Sequence, residues 1–136
     1  MLLTAHGLPM KIVRSGDPYP SQVEQTAAAV VEVLAKPGLD WRVCYQSRVG
    51  PLRWIEPSTD EEIKRAGQEG IPLVVAPISF VSEHSETLVE LDLDYRDLAK
   101  ASGVPAYYRV ATVSVEPAFI GALASLVHRA LARASI

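Results

Sequence analysis

Two stretches of this chain hold the residues best suited to chemistry: LLTAHGLP near the start and FVSEHSETLVELDLDY in the second half. In the first, His6 closes an apolar run and offers a group that titrates near neutral pH and ligates metals. In the second, Glu86, Glu90 and Asp94 follow one another at four-residue intervals, with His84 just ahead of them. On an ordinary α-helix four residues advance about 6 Å and turn about 40° past a full circle. The three carboxylates would then descend in a row along one side. Like charges at that spacing repel and weaken a helix, so the row makes sense if a cation, a metal ion or protons, passes along it. A solvated acidic helix face is the alternative reading of the same spacing. His6 has a plain alternative as well, a loop histidine capping the turn that follows.

These residues need a scaffold to bring them together, and the sequence describes one. Strands are expected at Met1 to Ala5, Trp41 to Gln46, Pro72 to Ile78 and Ala106 to Ala111, each apolar and rich in β-formers. The Pro72 to Ile78 run is continuously apolar, as for a strand covered on both faces. Helical patterns run from about Tyr19 to Ala35, Thr59 to Glu69, Ser85 to Ala101 and Pro117 to Ala134. Ser58 or Thr59 is suited to cap the second of these, and Gly70 and Gly103 to stop the second and third. GLPMKIVRSGDPYPSQ reads as a Gly/Pro-rich loop. The resulting βαβαβαβα order predicts an α/β fold: a flavodoxin- or Rossmann-like three-layer domain with a four-stranded, mostly parallel sheet, occupying residues 1–136 as a single unit. Ligands of such folds sit beyond the carboxyl ends of the strands. Here those ends are His6, Gln46-Ser47-Arg48 and Pro77 to Phe80, so residues far apart in sequence meet at one edge.

Composition narrows the function classes. A net charge of −3 with 49% apolar residues gives no basic surface for nucleic acid. No apolar stretch is long enough to span a bilayer, and the opening residues lack the pattern of a secretory signal. The one cysteine, Cys44, excludes an intramolecular disulfide and an all-cysteine iron–sulfur cluster within the chain. A reducing cytoplasmic setting fits this. Because the chain opens inside a core strand with almost no leader, it reads as part of a longer protein.

Three segments, LLTAHGLPMKIVRSGDPYPSQV, YQSRVGPLRWIEPSTDEEI and PLVVAPISFVSEHSETLVELDLDY, resemble in order and spacing the carboxyl-terminal half of ferrochelatases, which insert ferrous iron into a porphyrin. The resemblance implies that His6 is the active-site histidine, accepting pyrrole protons or binding the incoming metal, and that Glu86 is the catalytic glutamate opposite it. It places Glu90 and Asp94 on an acidic line along a partly π-wound helix, giving His6, Glu86, Glu90 and Asp94 as metal-contacting residues. Trp54, Ser47, Arg48 and Phe80 are implied to lie against the porphyrin, with His84 supporting Glu86 from behind.

The same resemblance implies ferrous iron as a substrate, no tightly bound cofactor, and a partner in the amino-terminal domain of the same protein, absent from this chain. Membrane-surface association would be weak at most. His128 reads as structural or surface, and Tyr107 and Tyr108 as packing residues of the fourth strand. Two other functions stay open: a stand-alone homodimeric chelatase of the cobalt or nickel type, and a module that binds porphyrin or metal without chemistry.

Overall fold

The computed structural model describes residues 1–134. Four parallel strands, β1 (Leu2–His6), β2 (Arg42–Gln46), β3 (Leu73–Pro77) and β4 (Tyr107–Arg109), lie in the order β2-β1-β3-β4. The chain leaves β1 in one direction to build β2 and in the other to build β3, so β1 and β3 flank the point where strand order reverses, the usual ligand crevice of such sheets. Register places His6 beside Gln46 and Leu3 beside Ala76.

Side chains alternate across the sheet and so found two cores. On one face, Leu2, Cys44, Leu73 and Val75 pack against Ile63 and Ala66 of α3 (Thr59–Gln68) and against Leu91, Tyr95 and Ala99. On the other, Ala5 and Tyr45 pack against Val23 of α2 (Tyr19–Leu34) and Ile55. Helix α3 starts where its sequence says it should: Ser58 Oγ accepts the Glu61 amide and the Glu61 carboxylate accepts the Ser58 amide, a reciprocal cap. Gly70 follows in the left-handed region at φ 65°.

Helix α3 also lies unusually close to the end of α5 (Tyr95–Ala101). A Cβ added to Gly67 would stand 2.0 Å from the Ser102 carbonyl oxygen, which belongs to backbone and cannot swing away. Gly67→Ala is therefore expected to destabilise the domain by about 2–3 kcal/mol, read as a lower midpoint in urea unfolding. An unchanged midpoint would contradict this packing.

Three expectations are corrected and a fourth is refined. The GLPMKIVRSGDPYPSQ loop contains a short helix, α1 (Met10–Arg14), with Met10 and Val13 packed beside Ala5 and Tyr45. The Ser85 to Ala101 helix is refined: it runs as α4 (Ser85–Leu88), then the π-helical turn (Glu90–Asp94) that the resemblance implied, and then α5. Strand β3 is not covered on both faces. Leu73 and Val75 are buried, but Val74 is 39% exposed and Tyr108 beside it 64%, because α2 packs over β1 and β2 instead. Finally, α6 (Pro117–Ala134) has the expected span, yet it buries none of its residues. Its apolar stripe of Ile120, Leu123, Val127 and Leu131 remains exposed, as does His128. No helix among the described residues is long and apolar enough to cross a membrane.

Candidate active site

His6 ends β1 on the sheet face that carries Leu2 and Thr4, the side facing the π turn. Its Nδ1 lies 2.7 Å from the Gly7 carbonyl oxygen. A carbonyl only accepts, so the proton of a neutral ring sits on Nδ1 and Nε2 keeps its lone pair. That nitrogen faces the Glu86 carboxylate, Nε2 to Oε1 at 3.6 Å, with the two side chains 43% and 39% exposed. A base with a free lone pair and an acid group beside it, both open to solvent, can take up a proton or hold a cation briefly.

Glu86 reaches this place through its backbone. His84 caps α4 by accepting the Glu86 amide on Nδ1 at 3.1 Å, while the His84 amide donates to Thr87 Oγ1 at 2.9 Å. The imidazole of His84 thus orients the residue that carries the carboxylate, without touching the carboxylate itself.

Glu90 differs in kind from Glu86. Its Oε1 accepts the Ser47 amide at 2.7 Å and the Tyr95 hydroxyl at 2.9 Å; its Oε2 accepts Gln46 Nε2 at 3.0 Å and Ser47 Oγ at 2.6 Å. Four donors fill the acceptor capacity of one carboxylate. Burial, and then the adjoining Glu90 charge, push the Tyr95 phenol well above its usual range, so it stays a donor. Ser47 holds a left-handed φ of 58°, uncommon for a residue with a side chain, and both its amide and its hydroxyl are spent on Glu90. Glu90 therefore fastens the end of β2 to the π turn.

A cavity of about 400 Å³ opens over these groups, lined by His6, Ser47, Arg48, Trp54, Glu86, Glu90 and Asp94 among others. A second, of about 500 Å³, shares Arg48, Glu90 and Asp94 and continues past Asp60 and Lys64. Glu86, Glu90 and Asp94 all line the first hollow, and Glu90 and Asp94 line the second as well. The row does not form one ligand set: among the described residues no three His, Cys, Asp or Glu side chains are placed to hold a metal. Phe80 is not on the cavity wall. It is 7% exposed, with its ring 5.3 Å from that of His84, so it backs the cap of α4. Trp54 does line the cavity, and its buried Nε1 has no partner in the protein. Cys44 lies away from the hollow, buried against Thr59, and burial pushes its thiol up to about 12.

The sequence model of the ferrochelatase family matches residues 1–131. The chain belongs to the ferrochelatase family. It is 56% identical over 133 residues to the ferrochelatase of Phenylobacterium zucineum, covering 98% of this chain and 38% of that one. It is 54% identical over 134 residues to the ferrochelatase of Caulobacter vibrioides, with the same coverage of each. With the ferrochelatase of Wolbachia pipientis wMel it shares 53% identity over 126 residues, 93% of this chain and 39% of the relative. The chain thus spans less than two-fifths of the length of these curated ferrochelatases. In three dimensions it resembles a putative cobalamin biosynthesis CbiX protein from Marinobacter aquaeolei, with a TM-score of 0.68 at 21% identity over 97% of this chain and 96% of that one. That likeness concerns the fold.

Within this ferrochelatase-family chain, sequence reasoning overlooked two residues of the site. Gln46 is fully buried, and its Nε2 donates to both the Glu86 carbonyl at 2.8 Å and Glu90 Oε2. One amide thereby ties the two glutamates together. Gly7 is required by close approach: a Cβ there would lie 2.9 Å from the Gln46 carbonyl oxygen and 3.2 Å from the Trp54 ring. The signal for both was adjacency, since one precedes Ser47 and the other follows His6.

Proposed function

We propose that this chain supplies the catalytic wall of a ferrochelatase, at which ferrous iron enters a porphyrin and two pyrrole protons leave. The observation that carries the reading is the His6–Glu86 pair, with the Nε2 lone pair turned into the hollow beside a carboxylate 3.6 Å away. A free-base porphyrin keeps two N–H protons, and a metal cannot bind all four nitrogens until both depart. His6 Nε2 accepts one of them, and Glu86 stabilises the imidazolium or takes the second. Imidazole and carboxylate also suit ferrous iron and hold it loosely enough to release it to the macrocycle. Trp54 offers a flat apolar wall, and Arg48, exposed at the rim, pairs with a porphyrin carboxylate. Asp94 extends the acidic approach, while Glu90 holds the wall in shape. The setting is cytoplasmic, and no resident cofactor takes part.

The hollow is open on one side, and the remaining three-fifths of the relatives' length is the partner assigned to that side. The test uses this chain alone and a chimera in which it replaces the matching segment of the Phenylobacterium zucineum ferrochelatase. Absorbance reports ferrous iron or zinc entering a porphyrin. Turnover by the chimera and none by the chain alone is expected. Turnover by the chain alone would favour the stand-alone dimeric chelatase. Porphyrin binding without insertion in either would favour the binding module and overturn the reading.

A further inference from the structure

One side chain on the edge strand grips both ends of the segment that carries the site. Arg109 is the last residue of β4, in register with Val75, and its side chain is only 10% exposed. Its Nε donates to Asp92 Oδ1 at 2.8 Å and its Nη2 donates to Asp92 Oδ2, a two-pronged contact. Its Nη1 donates to Glu83 Oε1 at 2.6 Å, and the Thr112 amide donates to the same oxygen at 2.9 Å. Glu83 directly precedes His84, the cap of α4, and Asp92 lies inside the π turn two residues past Glu90. Between those two anchors stand His84, Glu86 and Glu90. Arg109 itself lines neither cavity.

A guanidinium fork fixes both the spacing and the orientation of two carboxylates, which a point charge cannot do. Burial alone would raise the Glu83 carboxyl, but hydrogen bonds from Thr87, the Thr112 amide and Arg109 outweigh it and hold the group at about 2. Neighbouring contacts reinforce the grip: the Tyr107 hydroxyl donates to the Leu91 carbonyl at 2.9 Å, and Arg96 Nε to the Asp92 carbonyl at 3.0 Å. Strand β4 thus anchors the π turn through the Leu91 carbonyl as well as through the Asp92 carboxylate.

We propose that Arg109 is a positioning residue for metal insertion, closing the segment between Glu83 and Asp92 so that Glu86 stands against His6 and Glu90 against Ser47. This rests on the ferrochelatase reading above. Without the guanidinium, nothing bridges the two carboxylates: Glu83 keeps the Thr112 amide and Asp92 keeps Arg96 at 3.9 Å, and the ends of the segment move apart. A displacement of about 1 Å at the reacting groups costs about 100-fold in rate.

The test is Arg109→Met in the Phenylobacterium chimera, with porphyrin binding followed by quenching of the porphyrin's own fluorescence. The expected result is a kcat about 100-fold lower with the porphyrin KM and the number of bound porphyrins unchanged. Arg109→Lys, which keeps the charge but not the fork, is expected to restore part of the kcat. A wild-type kcat in Arg109→Met overturns the proposal. So does a loss of turnover in strict proportion to lost porphyrin sites, which would mean a structural role only. Should Arg109→Met not fold, Arg109→Lys decides: a reduced kcat at unchanged porphyrin KM supports the proposal, and a wild-type kcat overturns it. A chimera inactive with the native sequence would instead overturn the ferrochelatase reading itself.

Discussion

His6→Ala in the chimera is expected to lower the rate of metal insertion by about 10²–10⁴-fold, the span of a lost general base. The geometry explains why no neighbour replaces it. The ring is fixed by the Gly7 carbonyl at Nδ1, so Nε2 alone faces the hollow. His84, the nearest other histidine in sequence, has its Nδ1 occupied by the Glu86 amide. Glu86→Gln keeps the side chain's shape and removes its charge, and is expected to slow insertion comparably by leaving the imidazolium without a counter-charge. Both groups are more than a third exposed, so neither substitution should shift the unfolding midpoint much. Near-normal turnover in both variants, measured by absorbance at saturating porphyrin, would remove His6 and Glu86 from the chemistry.

Glu90→Gln is expected to act on both stability and turnover, because Glu90 is held by four donors. Two of them, the Ser47 and Tyr95 hydroxyls, can rotate to suit an amide. The Ser47 backbone N–H and Gln46 Nε2 cannot, since the first is main chain and the second is also committed to the Glu86 carbonyl. They address different oxygens of Glu90, so either orientation of the new amide sets its NH₂ against one of them. An unsatisfied donor of this kind costs about 1–3 kcal/mol. Thermal unfolding should show a lower midpoint, and insertion should slow as Ser47 and the π turn come apart. Were Glu90 simply one more exposed carboxylate along a metal path, the midpoint would not move.

The alternation of strands and helices was legible because period-two and period-3.6 patterns are local, and the caps of α3 are written in Ser58, Glu61 and Gly70. The convergence of His6, Ser47 and Arg48 followed from topology, since parallel strands send their carboxyl ends to one edge, and the resemblance added Glu86 and Asp94. Trp54 joined them because Gly7 lets its loop approach. The π turn was not legible from the four-residue spacing of Glu86, Glu90 and Asp94. It is pinned by Tyr107 and Arg109, sixteen and seventeen residues away from the groups they hold, and no local pattern carries that. Phe80 was expected against the porphyrin from the resemblance, but the turn after β3 packs it against His84. The pattern of α6 specified a helix and an apolar stripe correctly. It could not say that Ile120, Leu123 and Val127 of the stripe would remain exposed, just as the apolar run of β3 did not reveal that Val74 would be left open.

The central claim is that His6 and Glu86 act as one unit on the pyrrole protons and the ion. Single-turnover iron insertion by the chimera carrying both His6→Ala and Glu86→Gln, set beside the two single variants, tests it most directly. Groups that share one step lose their effect together. The predicted result is a double variant no slower than the slower single one. Rate losses that multiply would show that the two residues serve separate steps, and would contradict the account.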